Sequence, residues 1–533
     1  MLPKLLRVLS RNPGTVSGIA AAIMLIFLLT WWLVSQQGSG LTVPVLSSQE
    51  REIAWLMPAT NRPNWDRFLE AARLLVAHSG GELSWVSEPV LARGSQDIPG
   101  FALARRNCTG RLWFRWYKLT SDYSAEHWLA ELLRRRPKPL AILGGNTSDR
   151  ALELARLLRH WHDSDSTTPA LLLTTATADD VEVAPGEGLY PLLRVYPQRS
   201  FRFCFTNRQM ADALVDFLSC RPDWLPEDSV WDAITWRDDP YSEDFTNRVS
   251  DALLQRKLGQ MRKSVVPYSV GEAWLPNARE RQIIEEDLAE RIAQKPASPR
   301  ILVLPTVERT ARRVLIGLGQ AAPSTARQIT VVVGDSISFN VVCRDRRLLW
   351  PTELLPMRVL LFAHENPAHL TGTTSSRLAE LATQTASAIG KVCGQWPVSV
   401  PAFSHLCSRH AATDDLLLWV RILQAVTQAA WTTQSSRHQP VGEPHHPGPG
   451  SHLADMETFL IRLRNFRNEQ GEPFFEADGN RRLGSGAYVV CLQPVRRPYR
   501  LDTWAVLEIW HRRPDPERPR SWYLQNRWLL CEE

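Results

Sequence analysis

The sequence predicts an α/β protein with two lobes of parallel sheet flanked by helices, preceded by one transmembrane helix. Three observations predict it. At 533 residues the chain exceeds what one hydrophobic core organises, so more than one folded unit is expected. From residue 51 onward, short apolar strands alternate with segments of helical periodicity, the pattern of parallel sheets covered on both faces. Before that, Lys4, Arg7 and Arg11 precede an uncharged apolar run over 17–34.

The run reads Ser-Gly-Ile-Ala-Ala-Ala-Ile-Met-Leu-Ile-Phe-Leu-Leu-Thr-Trp-Trp-Leu-Val, which approaches the thickness of a bilayer's hydrocarbon core. Basic residues on its N-terminal side place residues 1–16 in the cytoplasm and the rest outside, with Trp31 and Trp32 at the interface. Gly38-Ser39-Gly40 leaves a cleaved signal peptide as the competing reading. The run is longer than a usual signal core and lacks a small-x-small site directly after it, which favours an uncleaved anchor. Residues 35–50 form a polar linker.

The folded part begins with a strand at 53–57 and a helix at 64–78, whose apolar positions Trp65, Phe68, Ala71, Ala72 and Leu75 share one face. An aromatic strand at 112–119, a helix at 125–136, a strand at 140–143 and a helix at 150–162 follow. The next elements are a strand at 170–173, a helix at 208–218, a strand at 230–236 and a helix at 241–254. Further helices are expected at 279–293 and 307–318, and strands at 301–304 and 329–333. The last third reads as helices at 378–389 and 414–431, a Pro-rich loop at 434–452, a hairpin over 472–493 around Asp478-Gly479-Asn480, and strands at 504–510 and 521–530.

Composition excludes some classes of function. Apolar residues make up 44% and charged residues 22%, which is globular composition. The net charge of +6 is dispersed, with no basic stripe for nucleic acid. The eight cysteines contain no Cys-x-x-Cys pair and are too sparse for a disulfide scaffold, although outside the cytoplasm one or two bridges are open. His405-x-Cys407-x-x-His410 has ligand types but no second pair, and there is neither a Walker A loop nor a Rossmann fingerprint. No cofactor is expected.

Two strand–turn–helix blocks carry the functional signal. The first runs from Gly144-Gly145-Asn146-Thr147-Ser148 to Thr174-Thr175-Ala176-Thr177, and the second is Asp238-Asp239-Pro240-Tyr241-Ser242-Glu243. With Ser200-Phe201-Arg202-Phe203 before the 208–218 helix and the late 471–480 turn, their order resembles the type I periplasmic binding proteins, the branched-chain amino acid receptor type. Ser242 stands where that family has a glycine, residues 80–110 look inserted, and the 432–455 loop is long.

The resemblance implies lobe 1 over 51–206 plus 358–455 and lobe 2 over 207–357 plus 456–533. It implies recognition of a small polar molecule or amino acid between the lobes, without catalysis. Candidate ligand contacts are Asn146, Thr147, Ser148, Thr175, Ala176 and Thr177 for a carboxylate, Asp335 for an ammonium group, and Tyr241 and Trp65 as aromatic walls. Each has a structural alternative: Ser148 and Thr177 as helix caps, Trp65 as core, and Asp335 as a turn former. A membrane permease or sensor protein is the implied partner, with the main domain extracytoplasmic and periplasmic. A ligand-free scaffold on the same fold is the alternative. Val331 to Ser338 is also similar to the nucleophile turn of GDSL-type esterases, with Ser336 as nucleophile, but no Asp-x-x-His supplies its base.

Overall fold

The computed structural model describes residues 43–87, 97–184, 186–222, 224–225, 229–236, 239–266, 300–307, 329–335, 357–365, 413–431, 453–468, 471–482, 487–496, 503–512 and 522–530, with residues 24, 310, 311, 314, 315 and 318 between them. Residues 1–45 and 46–533 are separate units. The expected membrane segment lies outside the described residues, apart from Met24 in a helix. Among the described residues no helix is long and apolar enough to cross a membrane.

The second unit opens with β1 (Glu50–Pro58), α1 (Arg62–His78), β2 (Leu83–Ser87), β3 (Gly100–Arg105), β4 (Arg111–Leu119) and α2 (Ala125–Arg134). It continues through β5 (Ala141–Gly144), α3 (Ser148–His162), β6 (Ala170–Leu173), the small β7 (Asp180–Glu182) and β8 (Leu189–Pro191), α4 (Leu192–Val195) and β9 (Ser200–Arg202). These strands form a first sheet in the order β2-β3-β4-β1-β5-β6-β9, with β7 and β8 paired separately. From β4 to β9 the neighbours are parallel, whereas β2–β3 and β3–β4 are antiparallel.

The chain then enters α5 (Asn207–Ser219), β10 (Val230–Trp236), α6 (Pro240–Arg256), β11 (Met261–Val266), β12 (Arg300–Val303), β13 (Ile329–Gly334) and β14 (Arg358–Ala363). It returns to the first lobe as α7 (Thr413–Ala430) and α8 (Met456–Arg464), then ends in β15 (Ala487–Arg496), β16 (Thr503–Arg512) and β17 (Trp522–Leu530). The second sheet has the order β11-β10-β12-β13-β14-β15-β16-β17.

The two-lobed α/β architecture is therefore present, but the sheets are mixed rather than parallel. Consecutive strands joined without a crossover helix must pair antiparallel. That explains β2–β4, which fill much of the stretch that looks inserted, and β15–β17 at the carboxyl end, whereas β14 and β15 pair antiparallel across an excursion through α7 and α8. The expected 472–493 hairpin is instead a tight turn, with Phe475 bridged to Arg481, followed by a strand that joins the second sheet.

Lobe boundaries also differ from the sequence expectation. Strand β14, expected in lobe 1, pairs with β13 and β15. Helix α8, expected in lobe 2, contributes Phe459, Leu460 and Leu463 to the lobe 1 core, joined by Phe466, Phe474 and Phe475. Their aromatic side chains fill the hydrophobic face that β1, β4 and β9 leave open, and burial of that area overrides chain order. The lobe 2 core packs Met210, Leu214 and Phe217 of α5 and Phe245, Val249 and Leu253 of α6 against Ile301, Val332, Leu360 and Val489.

Helix starts follow their local sequence. Thr206 and Gln209 form a reciprocal capping box at α5. Asp239 caps α6, where Pro240 occupies the first turn without losing a needed donor.

Candidate functional site

In each sheet the strand order reverses direction at one place. In the first sheet β1 is flanked by β4 on one side and β5 on the other, so the crevice lies beyond Gly144. In the second sheet β10 is flanked by β11 and β12, so the crevice lies beyond Trp236. Such switch points, at the carboxyl ends of strands, are where open α/β sheets leave room for ligands. Here they open onto the starts of α3 and α6, and Asp149 of α3 acts electrostatically on Asp239 of α6. The two turns singled out in the sequence therefore face one another across the seam between lobes.

On the lobe 1 side Gly145 has φ +65°, and a side chain there would meet Leu173 and Ala151. The turn after it spends its hydroxyl groups internally. The Ser148 hydroxyl accepts the Ala178 N–H at 3.2 Å, and Thr175 Oγ1 donates to the Asn146 carbonyl at 2.9 Å. Ala176 is buried, and its carbonyl accepts a weak bond from Cys204. Burial pushes the Cys204 thiol up to about 12. Thr147 is exposed and makes no capping bond, and Asn146 is half-buried. Thr177 is fully buried, and its hydroxyl finds no hydrogen-bond partner among the described residues.

On the lobe 2 side, Ser242 accepts the Trp236 N–H at 3.1 Å and lies 3.1 Å from the Thr235 hydroxyl. A serine serves in this turn because its oxygen closes the strand end. Tyr241 stacks on Phe245, and its hydroxyl donates to the Val333 carbonyl at 3.3 Å. Gly334 lies beneath it at φ +66°. Asp335, at the end of β13, binds His364 Nε2 through Oδ2 at 2.9 Å. Its Oδ1 is buried and has no partner among the described residues. His364 Nδ1 accepts the Phe205 N–H at 3.1 Å, which fixes the proton on Nε2.

Trp65 is placed elsewhere. It is fully buried in the lobe 1 core, stacked on Trp55 at 5.1 Å and on Trp116 at 5.8 Å. The remaining candidates gather at the seam. Ser336, His405, Cys407 and His410 lie outside the described residues.

Sequence reasoning missed the groups that join the lobes. The Asp244 carboxylate accepts the Asp179 N–H at 2.8 Å and Asn207 Nδ2 at 2.9 Å. Arg248, one turn on, pairs with Asp244 at 3.2 Å, with Asp179 at 3.7 Å and with Asp180. Asp179 in turn accepts the Arg208 N–H at 2.7 Å. The i, i+4 spacing of Asp244 and Arg248 on one helix was the available signal, but its partners lie about 65 residues away in the other lobe.

Burial, with the adjacent Asp179 charge, pushes Asp244 up to about 6 against the pull of Arg248. Burial, with Asp149 and Glu243 adding to it, pushes Asp239 up to about 7.

Behind the seam the crossings between lobes are tied together. Arg202 is buried and donates to the Thr177 and Ala178 carbonyls at 3.4 and 2.7 Å. Arg481 donates to the Phe203 carbonyl at 3.1 Å and to Glu365 at 2.8 Å, and its guanidinium lies 4.1 Å from the Phe205 ring centre. Gly479 abuts the Ser200 carbonyl so closely that a side chain there would collide with it.

No protein-family model matches the chain, and no curated protein sequence matches it. Some solved structures are similar to it. A leucine-binding protein from Thermotoga maritima is 11% identical, with TM-score 0.45, covering 90% of this chain and 98% of its own. An ABC transporter substrate-binding protein from Desulfitobacterium hafniense, solved with Leu, is 13% identical, with TM-score 0.44, covering 83% and 98%. A leucine-, isoleucine-, valine-, threonine- and alanine-binding protein from Brucella ovis, in a closed conformation, is 11% identical, with TM-score 0.47, covering 85% and 91%. These are binding proteins of the kind the sequence resembles. At such identities the likeness is one of fold, and the two-lobed architecture stands on its own strand order.

Proposed function

We propose that the chain is a membrane-anchored, extracytoplasmic solute-binding protein that recognises a small polar ligand, amino acids among the candidates, between its two lobes. The facing of the two switch points, with Asn146, Thr147, Ser148 and Thr175–Thr177 on one side and Tyr241 and Asp335 on the other, carries this reading. A ligand touching both lobes binds the closed arrangement better than the open one and so shifts the population towards it. Residues 17–34 are the anchor in this reading, and a permease or sensor protein receives the closed form. No reaction is assigned to the site.

The seam also favours a second reading. Asp244, Arg248, Asp179 and Asp180 join the lobes directly, which suits a scaffold that uses the fold for contacts with other proteins.

The 21 tryptophans make intrinsic fluorescence a reporter of melting for the full-length chain in detergent. A saturable rise of melting temperature with one class of small polar compound is the expected result, because only the folded cleft binds. Silence across amino acids, amines, sugars and organic acids would leave the scaffold reading in its place.

A further inference from the structure

Resting on the solute-binding reading, we infer that the cleft favours an amine or other cationic ligand over one that carries a carboxylate. The hydrogen-bond inventory of the seam is lopsided. Four of its backbone donors are engaged by the protein's own side chains: Ala178 N–H by Ser148, Asp179 N–H by Asp244, Arg208 N–H by Asp179, and Tyr241 N–H by Asp239. The Arg202 guanidinium is turned onto carbonyls and that of Arg248 onto carboxylates.

Open acceptors remain. Asp335 Oδ1 and Asn207 Oδ1 are buried without a partner among the described residues; the Thr177 hydroxyl is likewise unpartnered and can accept as well as donate. The Asp335 side chain is 10% exposed, and Asn207 is fully buried. A buried acceptor without a donor costs free energy that a bound N–H group recovers.

Charge points the same way. The two helix starts that face each other would attract an anion by their dipoles, but each already carries acids, Asp149 on α3 and Asp239 with Glu243 on α6. Burial first, with Asp149 and Glu243 adding to it, raises Asp239 to about 7. An incoming carboxylate would add to this repulsion, whereas an ammonium or guanidinium relieves it. Asp244 occupies the Asp179 N–H on the lobe 1 side with a carboxylate of the protein's own.

The test uses pairs that differ by one carboxylate: agmatine against arginine, ethanolamine against serine, and isobutylamine against valine. Binding to the full-length chain is measured by calorimetry and by melting, with acetate and succinate as anionic probes. The decarboxylated member of the binding pair should be at least tenfold tighter, acetate and succinate should be silent, and Asp335→Asn should remove the binding while the folded spectrum is kept. Asp335→Asn retains the shape and one acceptor for His364, so its loss of binding does not rest on misfolding. Equal or tighter binding of the amino acid, or a response to acetate or succinate, would overturn the cationic assignment and leave solute binding standing. Silence of both members of every pair would overturn the cationic assignment, and solute binding itself would fall with it only if sugars and organic acids were silent too.

Discussion

Replacing Asp244 by Asn should flatten the dependence of stability on pH. Asp244 is 5% exposed, and its carboxyl is raised from 3.8 to about 6 by burial and by Asp179, with Arg248 pulling the other way. Arg248, Asn207 Nδ2 and the Asp179 N–H and carboxylate face it, and Tyr241 shares the Asn207 amide. A carboxyl whose pKa rises on folding holds its proton more tightly in the folded state. Its stabilising contribution is then fully present below the unfolded pKa of 3.8 and is lost as pH rises through about 6.

The whole shift corresponds to ~3 kcal/mol at about 1.36 kcal/mol per unit. Between pH 5 and pH 8 the linkage integral leaves ~1.4 kcal/mol of it. Asn keeps an acceptor for the Asp179 N–H but cannot titrate. Urea unfolding of the full-length chain, followed by tryptophan fluorescence at pH 5 and pH 8, should therefore show the wild type losing ~1.4 kcal/mol more than Asp244→Asn. Other titrating groups cancel in that difference. Parallel profiles would refute the reasoning, and a wild type that gains stability with rising pH relative to the variant would mean that Arg248 outweighs burial.

Two substitutions test the scaffold around the seam. Arg481→Met leaves Glu365 and the Phe203 carbonyl without their guanidinium, and should cost about 3 kcal/mol in thermal or urea unfolding. Unchanged stability would mean the crossing is not held there. Gly334→Ala places a Cβ 2.6 Å from the Tyr241 hydroxyl at φ +66° and should cost about 1–3 kcal/mol. Tyr241→Phe should return the steric part of that cost but not the backbone part.

Elements were legible where local pattern and final packing agreed. The expected helices at 64–78, 208–218 and 241–254 are observed as Arg62–His78, Asn207–Ser219 and Pro240–Arg256, because apolar spacing, with capping residues at the second and third, decides them locally. Strand pairing was less legible. Nothing in the composition of Arg358–Ala363 distinguishes one sheet from the other, since all of its neighbours are apolar strands brought together from up to about 130 residues away. The turns of the candidate site were legible as small polar residues at strand ends, but their satisfaction was not. Ser148 and Thr175 prove to be spent within the turns, whereas the Oδ1 atoms of Asn207 and Asp335, without a partner among the described residues, emerge only when crossings distant in sequence meet.

The same fact accounts for the acidity of the seam. A helix start at a switch point exposes N–H groups, and Asp or Glu in that turn satisfies them locally, as Asp239 does for α6. With Asp149 in the first turn of α3 and the lobes bringing the two helix starts together, charges that favour each helix dipole alone repel across the gap. Arg248 offsets that repulsion for Asp179, Asp180 and Asp244. Asp335 has His364 on one oxygen and nothing described on the other. Under the proposed cationic ligand, protons and the bound cation would offset the same repulsion, so the pH dependence of stability and the choice of ligand would have one physical origin.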